Sequence, residues 1–154
     1  MHRHAQLIDR FYGAFARKDA DDMVDCYHRE VVFSDPVFGE LKGERACSMW
    51  RMLCARAKDL QLEHSGVVAD DETGRAHWEA RYTFTGTGRK VHNVIDARFR
   101  FADGKIIRHD DTFDLWRWSG MALGPVGKVF GWLPPLQRSI QKKALAGLAA
   151  WEAR

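Results

Sequence analysis

The chain has 154 residues, 45% hydrophobic and 29% charged, a composition typical of one globular domain. No window approaches the ~18 continuous apolar residues of a membrane span, and the first residues lack the apolar core of a signal peptide. The net charge of +3 comes without a long basic run, so we expect no binding to nucleic acid. Without a predicted membrane span or signal peptide, we expect a cytoplasmic protein that does not bind membranes.

Helical spacing dominates the first third of the chain. Residues 4–17 carry an apolar stripe that includes Phe11 and Tyr12, and a second short helix should follow "KDADD" and extend to Tyr27. The segment "VVFSDPVF" alternates like a short strand that Pro36 interrupts. A third helix is predicted in "GERACSMWRMLCARA", where Trp50 lies on the apolar side.

The apolar period then changes from helical to two. The segments "LQLEHSGVVAD", "RAHWEARYTFTG", "KVHNVIDARFRF" and "KIIRHDDTFDLWRW" are predicted strands, joined by the turn signals "DETG", "GTGR" and "ADGK". Three short turns predict an antiparallel meander. Helices followed by hairpin-linked strands predict an α+β domain with the helices packed on one face of a curled sheet.

The last third has a different composition. Residues 119–135, "SGMALGPVGKVFGWLPP", are apolar but rich in Gly and Pro, so we expect an irregular lid or interface loop. Residues 136–154 predict an amphipathic helix that docks on the domain or on a partner subunit. The expected organisation is a main domain over residues 1–118, with residues 119–154 packed on it.

The last predicted strand places polar groups among apolar ones. Ile107, His109, Asp111 and Phe113 share one side of an ideal strand. A carboxylate on a buried side is costly unless it is hydrogen-bonded, paired or neutralised. Either His109 and Asp111 satisfy each other, or they line a wet cavity, and the pattern alone leaves both open.

Two neighbouring strands also carry polar exceptions on their apolar sides, Tyr82 and Asn93. A few polar groups among aromatic ones are the composition expected of a small-molecule pocket. The predicted pocket residues are Asp35, His109, Asp111, Tyr82, Asn93, Trp50, Trp78, Phe99 and Phe113.

No metal or cofactor is expected. His109 and Asp111 supply two metal ligands at most, and the chain has no Gly-rich phosphate loop or dinucleotide fingerprint. Cys26, Cys47 and Cys54 form no Cys-x-x-Cys pair, so they are interpreted as buried thiols in a reducing compartment.

The helix order, the segment "FSDPVFGELKG" and the closing "FADGKIIRHDDTFDLWRW" together resemble the SnoaL-like branch of the nuclear transport factor 2-like superfamily, over about residues 5–118. The resemblance implies a cone-shaped fold in which a curved antiparallel sheet wraps around the N-terminal helices and encloses a pocket. The C-terminal helix is extra to that common core.

The resemblance also implies roles for single residues. Asp35, in "SDPV", resembles the general base of ketosteroid isomerases, whose tyrosine falls on Phe11, next to Tyr12. His109 and Asp111 resemble the His-x-Asp pair of SnoaL-type polyketide cyclases, in which the Asp is the acid/base of an aldol closure. Asp111 also lies where limonene-epoxide hydrolases keep an acid, but their Arg and Asp on an earlier strand are replaced by Glu79 and Arg81 in the opposite order.

These patterns predict acid/base proton transfer next to a carbonyl group, by isomerisation or aldol cyclisation of a small hydrophobic compound. The alternatives are a non-catalytic ligand-binding or dimeric interaction module, and an epoxide hydrolase-like enzyme. We also expect a homodimer through the mixed charges of the outer sheet face. The predicted catalytic residues are Asp111, His109 and Asp35, and the predicted substrate-binding residues are Tyr82, Asn93, Trp50, Trp78, Phe99, Phe113 and Tyr12.

Overall fold

The computed structural model describes all 154 residues. Three helices lie before the meander: α1 (Arg3–Ala16), α2 (Ala20–Asp25) and α3 (Glu44–Arg56). The α2 helix begins where the Asp19 carboxylate accepts the backbone N–H of Asp22. The apolar sides of α1 and α3 face each other across the core, where Phe11 meets Trp50 edge to face with 5.4 Å between ring centroids.

A six-stranded sheet wraps around these helices. Its strands are β1 (Tyr27–Asp35), β2 (Gly39–Lys42), β3 (Gln61–Ala69), β4 (Thr73–Phe84), β5 (Arg89–Ala102) and β6 (Lys105–Thr112). The order is β2-β1-β6-β5-β4-β3, so the sheet is open, and only β1 and β6 run parallel. The predicted α+β fold is confirmed, with a curved and mostly antiparallel sheet around the N-terminal helices, and so is the β3–β6 meander.

The period-two patterns assign the sheet faces correctly on β4 and β5. Trp78 and Ala80 on β4, and Asn93 and Phe99 on β5, are buried on the inner face. Arg98, between inner neighbours on β5, is exposed on the outer face. The inner face therefore forms the wall against which α1 and α3 pack.

Two register shifts change the expected positions on β1 and β6. On β6 a shift beside Arg100 and Phe101 pairs Phe101 with Ile106, and Ile106 is fully buried while Ile107 is only half-buried. The expectation that Ile107 shares the inner side with His109 and Asp111 is therefore wrong, and Ile106 takes that position. Tyr27, expected at the end of the second helix, instead begins β1 and pairs with Ile106.

The chain between residues 115 and 152 is helical. It forms α4 (Leu115–Leu123), α5 (Pro125–Phe130) and α6 (Pro134–Glu152), so the expectation of an irregular loop over residues 119–135 is wrong. The glycines there serve close packing and a turn. A Cβ on Gly127 would lie 1.9 Å from the carbonyl oxygen of Ser119, and Gly124, with a φ of 75°, separates α4 from α5.

Helix α4 covers an edge of the sheet that would otherwise be free. Because β6 ends opposite Asp96, residues 89–95 of β5 have no strand neighbour on that side. There the Arg117 guanidinium donates to the His92 carbonyl oxygen at 3.0 Å, and the Arg89 Nε donates to the Met121 carbonyl oxygen at 2.9 Å. The helix thus closes the edge with side-chain donors instead of a strand.

Helix α6 returns across the domain. Its Gln141 side chain donates to the carbonyl oxygen of Pro36 at 3.0 Å, and its Leu148 is fully buried in the main core. Ile140 packs with Val91 of β5 and with α4. None of the six helices combines the length and apolar character needed to cross a membrane.

Candidate active site

A chain of hydrogen bonds lies inside the cone and centres on His109, which is completely buried on the inner face of β6. The Trp50 Nε1 donates to the Tyr27 hydroxyl at 2.8 Å, and that hydroxyl lies 2.7 Å from the Nδ1 of His109. Because the hydroxyl accepts from the indole, its own proton is free to donate to Nδ1. The tautomer with its proton on Nε2 is the one that gives all three side chains a matching donor or acceptor, and we assign it on that basis.

The Nε2 atom of His109 lies 2.9 Å from the Oδ1 of Asp111. The same oxygen accepts a second hydrogen bond, from the Trp78 Nε1 at 3.3 Å. The other oxygen, Oδ2, makes no hydrogen bond within the chain, yet it is not one of the fully enclosed unpaired atoms. Asp111 is therefore held through Oδ1, while Oδ2 has no partner within the chain. Of the two alternatives left open by the sequence, this contact matches the one in which His109 and Asp111 satisfy each other.

A second free polar group lies near this carboxylate. The Tyr12 hydroxyl on α1 is fully buried and has no hydrogen-bond partner. Burial, together with the negative charge of Asp111, holds the pKa of Tyr12 well above its ordinary value, so the hydroxyl stays a neutral donor. An enclosed hydroxyl without a partner is rare, and its proton has no acceptor within the chain.

Asp35 lies at the end of β1, where the chain turns into β2. Its Oδ1 accepts the backbone N–H groups of Val37 at 2.9 Å and Phe38 at 2.6 Å, an Asx turn. Burial raises the pKa of Asp35 to about 7, and the charge of Asp111 contributes in the same direction. The residue therefore shapes the turn and can also exchange a proton near neutral pH.

Tyr82 and Asn93 lie toward the end of the cone that α4 covers. The Trp118 Nε1 donates to the half-buried Tyr82 hydroxyl at 2.9 Å, and burial raises the pKa of Tyr82. Asn93 is buried, but its amide makes no hydrogen bond to protein and is not fully enclosed. Its amide is thus accessible from the interior side of the sheet.

Aromatic rings surround the His109 imidazole on several sides. Phe99 lies 4.5 Å from it between ring centroids, Trp50 stacks in parallel at 6.0 Å, and Phe33 approaches edge-on at 5.1 Å. Phe113 is half-buried between the main core and the α4 cluster. These rings exclude water and lower the local dielectric, which strengthens the hydrogen bonds of the pair.

Of the ten predicted site residues, eight lie on the inner wall or on the helices facing it; Asp35 lies at the strand end and Phe113 just after β6. The sequence interpretation missed Tyr27 and Trp118, which fix His109 and Tyr82. Tyr27 could have been found by extending β1 backwards, since it shares the odd-numbered side with Val31 and Phe33.

Other candidate positions lie outside the site. Glu79 and Arg81 are on the outer face of β4, where Arg81 pairs with Glu63 at 2.9 Å. A surface depression of about 470 Å³ is lined by outer-face residues such as Arg98 and Arg100. Another of about 410 Å³ reaches Tyr82 but not His109 or Asp111. No three His, Cys, Asp or Glu side chains are grouped to hold a metal ion.

A curved sheet wraps around helices and carries a buried histidine–aspartate pair on its inner wall. The chain belongs to the SnoaL-like domain family, whose model matches residues 8–109 and so ends two positions before Asp111. No functionally curated protein gives a significant match.

Solved structures share the fold over most of the chain. A limonene-epoxide-hydrolase-like epoxide hydrolase from Mycobacterium tuberculosis is 18% identical with a TM-score of 0.66, over 84% of this chain and 96% of that one. A Catenulispora acidiphila protein with a ketosteroid isomerase-like fold, in complex with trimethylamine, has 11% identity and a TM-score of 0.67, over 83% and 97%. A proposed polyketide cyclase from Xanthomonas campestris has 22% identity and a TM-score of 0.62, over 75% and 93%. At these identities the likeness concerns the fold alone.

Proposed function

We propose that this protein is an acid/base enzyme that moves a proton at a carbon next to the carbonyl group of a small hydrophobic compound. One observation carries the proposal: Asp111 is anchored through Oδ1 by His109 and Trp78, while its Oδ2 is unpaired. A carboxylate fixed in this way among aromatic rings is a competent general base.

The proposed reaction has two parts. The Oδ2 of Asp111 takes a proton from the carbon, the C–H electron pair forms a carbon–carbon double bond, and the carbonyl electrons move to oxygen as an enolate. The neutral Tyr12 hydroxyl donates a hydrogen bond to that oxygen. Return of the proton to another carbon gives isomerisation, and attack of the enolate on a second carbonyl gives aldol closure.

His109 acts as a positioning residue in this scheme. It is held by Tyr27 and keeps the Asp111 carboxylate in one orientation. Asp35, with a pKa of about 7, is the candidate for returning a proton to the substrate or to the product oxygen. The substrate-binding surface would come from Tyr82, Asn93, Trp50, Trp78, Phe99, Phe113 and Tyr12.

The site favours carbonyl chemistry over epoxide opening. The Asp111 carboxylate is hydrogen-bonded to a histidine and a tryptophan. Arg81, the residue compared above with the arginine of limonene-epoxide hydrolases, lies on the outer face of the sheet, away from Asp111. The structural neighbours include both a proposed polyketide cyclase and an epoxide hydrolase, so the carbonyl assignment is argued from the side chains of the site.

Hydrogen–deuterium exchange at carbon, followed by NMR in a panel of cyclic ketones, tests the proposal. The wild type should accelerate exchange, and Asp111→Asn should lower the rate by about 100-fold or more. Asp110→Asn is the matched control, because Asp110 lies on the same strand but bonds to Ser34 and Arg108 on the outer face.

Circular dichroism should give the same fold for all variants. A wild type that binds the ketones without exchanging them would support a non-catalytic hydrophobic ligand-binding protein instead. The enzyme proposal fails if Asp111→Asn and Asp35→Asn both leave the exchange rate unchanged.

We also propose a homodimer through the outer sheet face, where acidic and basic side chains alternate. Arg108 pairs with Asp110 at 2.8 Å, and Arg98 lies beside that pair in register. Mixed charges of this kind can meet their complements across a two-fold axis. Sedimentation should give a dimeric mass that Arg98→Glu converts to a monomeric one, and a monomeric wild type would refute the dimer.

We propose the cytoplasm as the compartment, on the evidence of the cysteines. Cys26, Cys47 and Cys54 are all free and buried. Burial raises the pKa of the Cys26 and Cys54 thiols to about 11, so both are protonated and unreactive at neutral pH. Protein thiols persist in this form in a reducing environment.

A further inference from the structure

Large apolar side chains are exposed mainly in one region of the surface. Seven are exposed in the whole chain, and five of them lie between residues 116 and 132. We call these five residues the apolar apex: Trp116, Val126, Val129, Phe130 and Trp132, each with between 48% and 57% of its surface exposed. Three aromatic rings at half exposure present on the order of 300 Å² of apolar surface, before the valines are added.

The side chains of the apolar apex are held in place by hydrogen bonds and by close helix packing. The Trp116 indole N–H donates to the carbonyl oxygen of Lys128 at 3.0 Å, and the Trp132 indole N–H donates to that of Val129 at 3.0 Å. Both indole nitrogens are thus engaged by backbone, so the rings offer mainly carbon outward. The close approach of Gly127 to Ser119 fixes α5 against α4 and holds these rings in place.

The positive excess of the chain lies in its C-terminal part, residues 115–154, which contains the apolar apex. Residues 115–154 contain six Lys and Arg and one acidic residue, a net +5, whereas residues 1–114 contain 18 basic and 20 acidic residues, a net −2. The excess is therefore uneven along the chain, although it contains no long basic run. Lys128 lies within α5, and Arg138, Lys142 and Lys143 are exposed on α6.

We infer that the apolar apex docks the protein on an anionic lipid surface. Exposed tryptophan and phenylalanine together with exposed Arg117 and Lys128 in the same two helices are the side-chain chemistry that binds the interfacial layer of such membranes. A second copy is a poor occupant, because it would bring these cations of two copies together without an acidic partner from these two helices. The attachment is interfacial, and it amends the expectation that the protein binds no membrane.

Co-sedimentation with phosphatidylcholine vesicles, with and without phosphatidylglycerol, tests this inference. The wild type should sediment with the phosphatidylglycerol vesicles, and brominated lipid should quench its tryptophan fluorescence. The double variant Phe130→Ser/Trp132→Ser should bind at least about tenfold more weakly. Val68→Ser is the matched control, because Val68 is 53% exposed on β3, outside the apolar apex.

A second double variant measures how much electrostatic attraction, as distinct from apolar contact, contributes to vesicle binding. Lys142→Glu/Lys143→Glu should lower the partition coefficient by about tenfold or more, and added salt should weaken wild-type binding. Lys42→Glu/Lys58→Glu changes the net charge equally at exposed lysines elsewhere, and it should retain most of the binding.

The inference fails if the wild type ignores phosphatidylglycerol vesicles, or if both double variants bind like their controls. It also fails if Phe130→Ser/Trp132→Ser changes the oligomeric mass and not the lipid binding, since the apolar apex would then be a contact between copies.

Discussion

Tyr27 is the residue on which the orientation of the buried pair depends. Tyr27→Phe removes one hydroxyl and leaves both the Trp50 indole N–H and the His109 Nδ1 without partners in the core. Unsatisfied buried groups of this kind should lower the free energy of unfolding by about 2–3 kcal/mol. Urea denaturation measures this change. Tyr82→Phe, which removes a single half-buried bond to Trp118, is the comparison and should cost clearly less.

Equal losses in the two variants would mean that the Tyr27 hydroxyl contributes no more than an ordinary hydrogen bond. The positioning role of His109 would then lose its support.

Asp35 should give the protein a stability that declines as the pH rises. Burial raises its folded-state pKa from 3.8 to about 7, so between these values the folded state binds more protons than the unfolded chain. The contribution of Asp35 to the free energy of unfolding is therefore largest below about pH 4 and decreases as the pH rises to about 7. Asp35→Asn keeps an oxygen acceptor for the turn and removes the ionisation.

Relative to the wild type, Asp35→Asn should be more stable at pH 8 than at pH 5 by about 2 kcal/mol, allowing for solvent screening. Thermal denaturation at both pH values measures it. The quantity to compare is the difference in unfolding free energy between Asp35→Asn and the wild type. Carboxylates with a lowered pKa, such as Asp25 and Asp70, make the stability of both proteins rise with pH, and that effect cancels in the difference. A pH-independent difference would contradict the raised pKa.

At the scale of single residues, alternation along the strand was enough to place His109 and Asp111 inside the cone. It could not reveal which oxygen of Asp111 stays free, because that depends on Trp78, which is 33 residues away. It also could not reveal the unpaired Tyr12 hydroxyl, since helical spacing gives a buried position but no hydrogen-bond partner.

Strands β4 and β5 carry an ionic network on their outer face. The His77 ring contacts Asp96 at 3.0 Å and Glu79 at 3.1 Å, and Glu79 also contacts His92 at 2.7 Å. Hydrogen bonds to Asp96 and Glu79 raise the pKa of His77, and its bond to His77 lowers the pKa of Glu79.

Glu79→Gln should therefore lower the pKa of His77, although the Asp96 contact keeps part of the shift. An NMR titration of the His77 ring protons measures this change. Glu63→Gln, which removes an outer-face carboxylate paired with Arg81, should leave the His77 titration as it is. An identical His77 titration in Glu79→Gln would show that the contact with Glu79 is not formed in solution.

Elements with a clear period were predicted well, and those defined by glycine were not. The meander follows from alternation and short turns. In residues 119–135 the glycines suggested irregular chain, because sequence alone cannot distinguish a glycine needed for flexibility from one needed for close helix contact. For the same reason, the sequence did not predict that α4 is a helix and covers the free edge of β5.

The whole molecule depends on its last helix. Leu148 is fully buried in the main core although it lies in the final seven residues, and Ile140 packs with α4 and β5. Leu148→Ala should lower the free energy of unfolding by about 3 kcal/mol, from lost apolar burial and the cavity left behind. Leu145→Ala, at a half-buried position on the same helix, is the control and should cost less.

Denaturant unfolding of the two variants provides the measurement. A Leu148→Ala cost no larger than that of Leu145→Ala would mean that α6 packs loosely on the domain. The overall architecture could be predicted from the sequence because the helical period of α1 and α3 gives way to a period of two over the whole β3–β6 meander. The sequence could not predict where the last helix packs. Amphipathicity identifies the apolar side of a helix but not the surface against which that side is buried.

The hydrogen-bonded chain from Trp50 to Trp78 has a consequence for the order of folding. Its members come from α3, β1, β6 and β4, and the parallel pairing of β1 with β6 joins residues about 80 positions apart. Contacts between distant parts of a chain close late, because loop entropy must be overcome first. Regain of the proposed activity after dilution from denaturant should therefore follow the slowest refolding phase, and a fragment that ends before β6 lacks both His109 and Asp111.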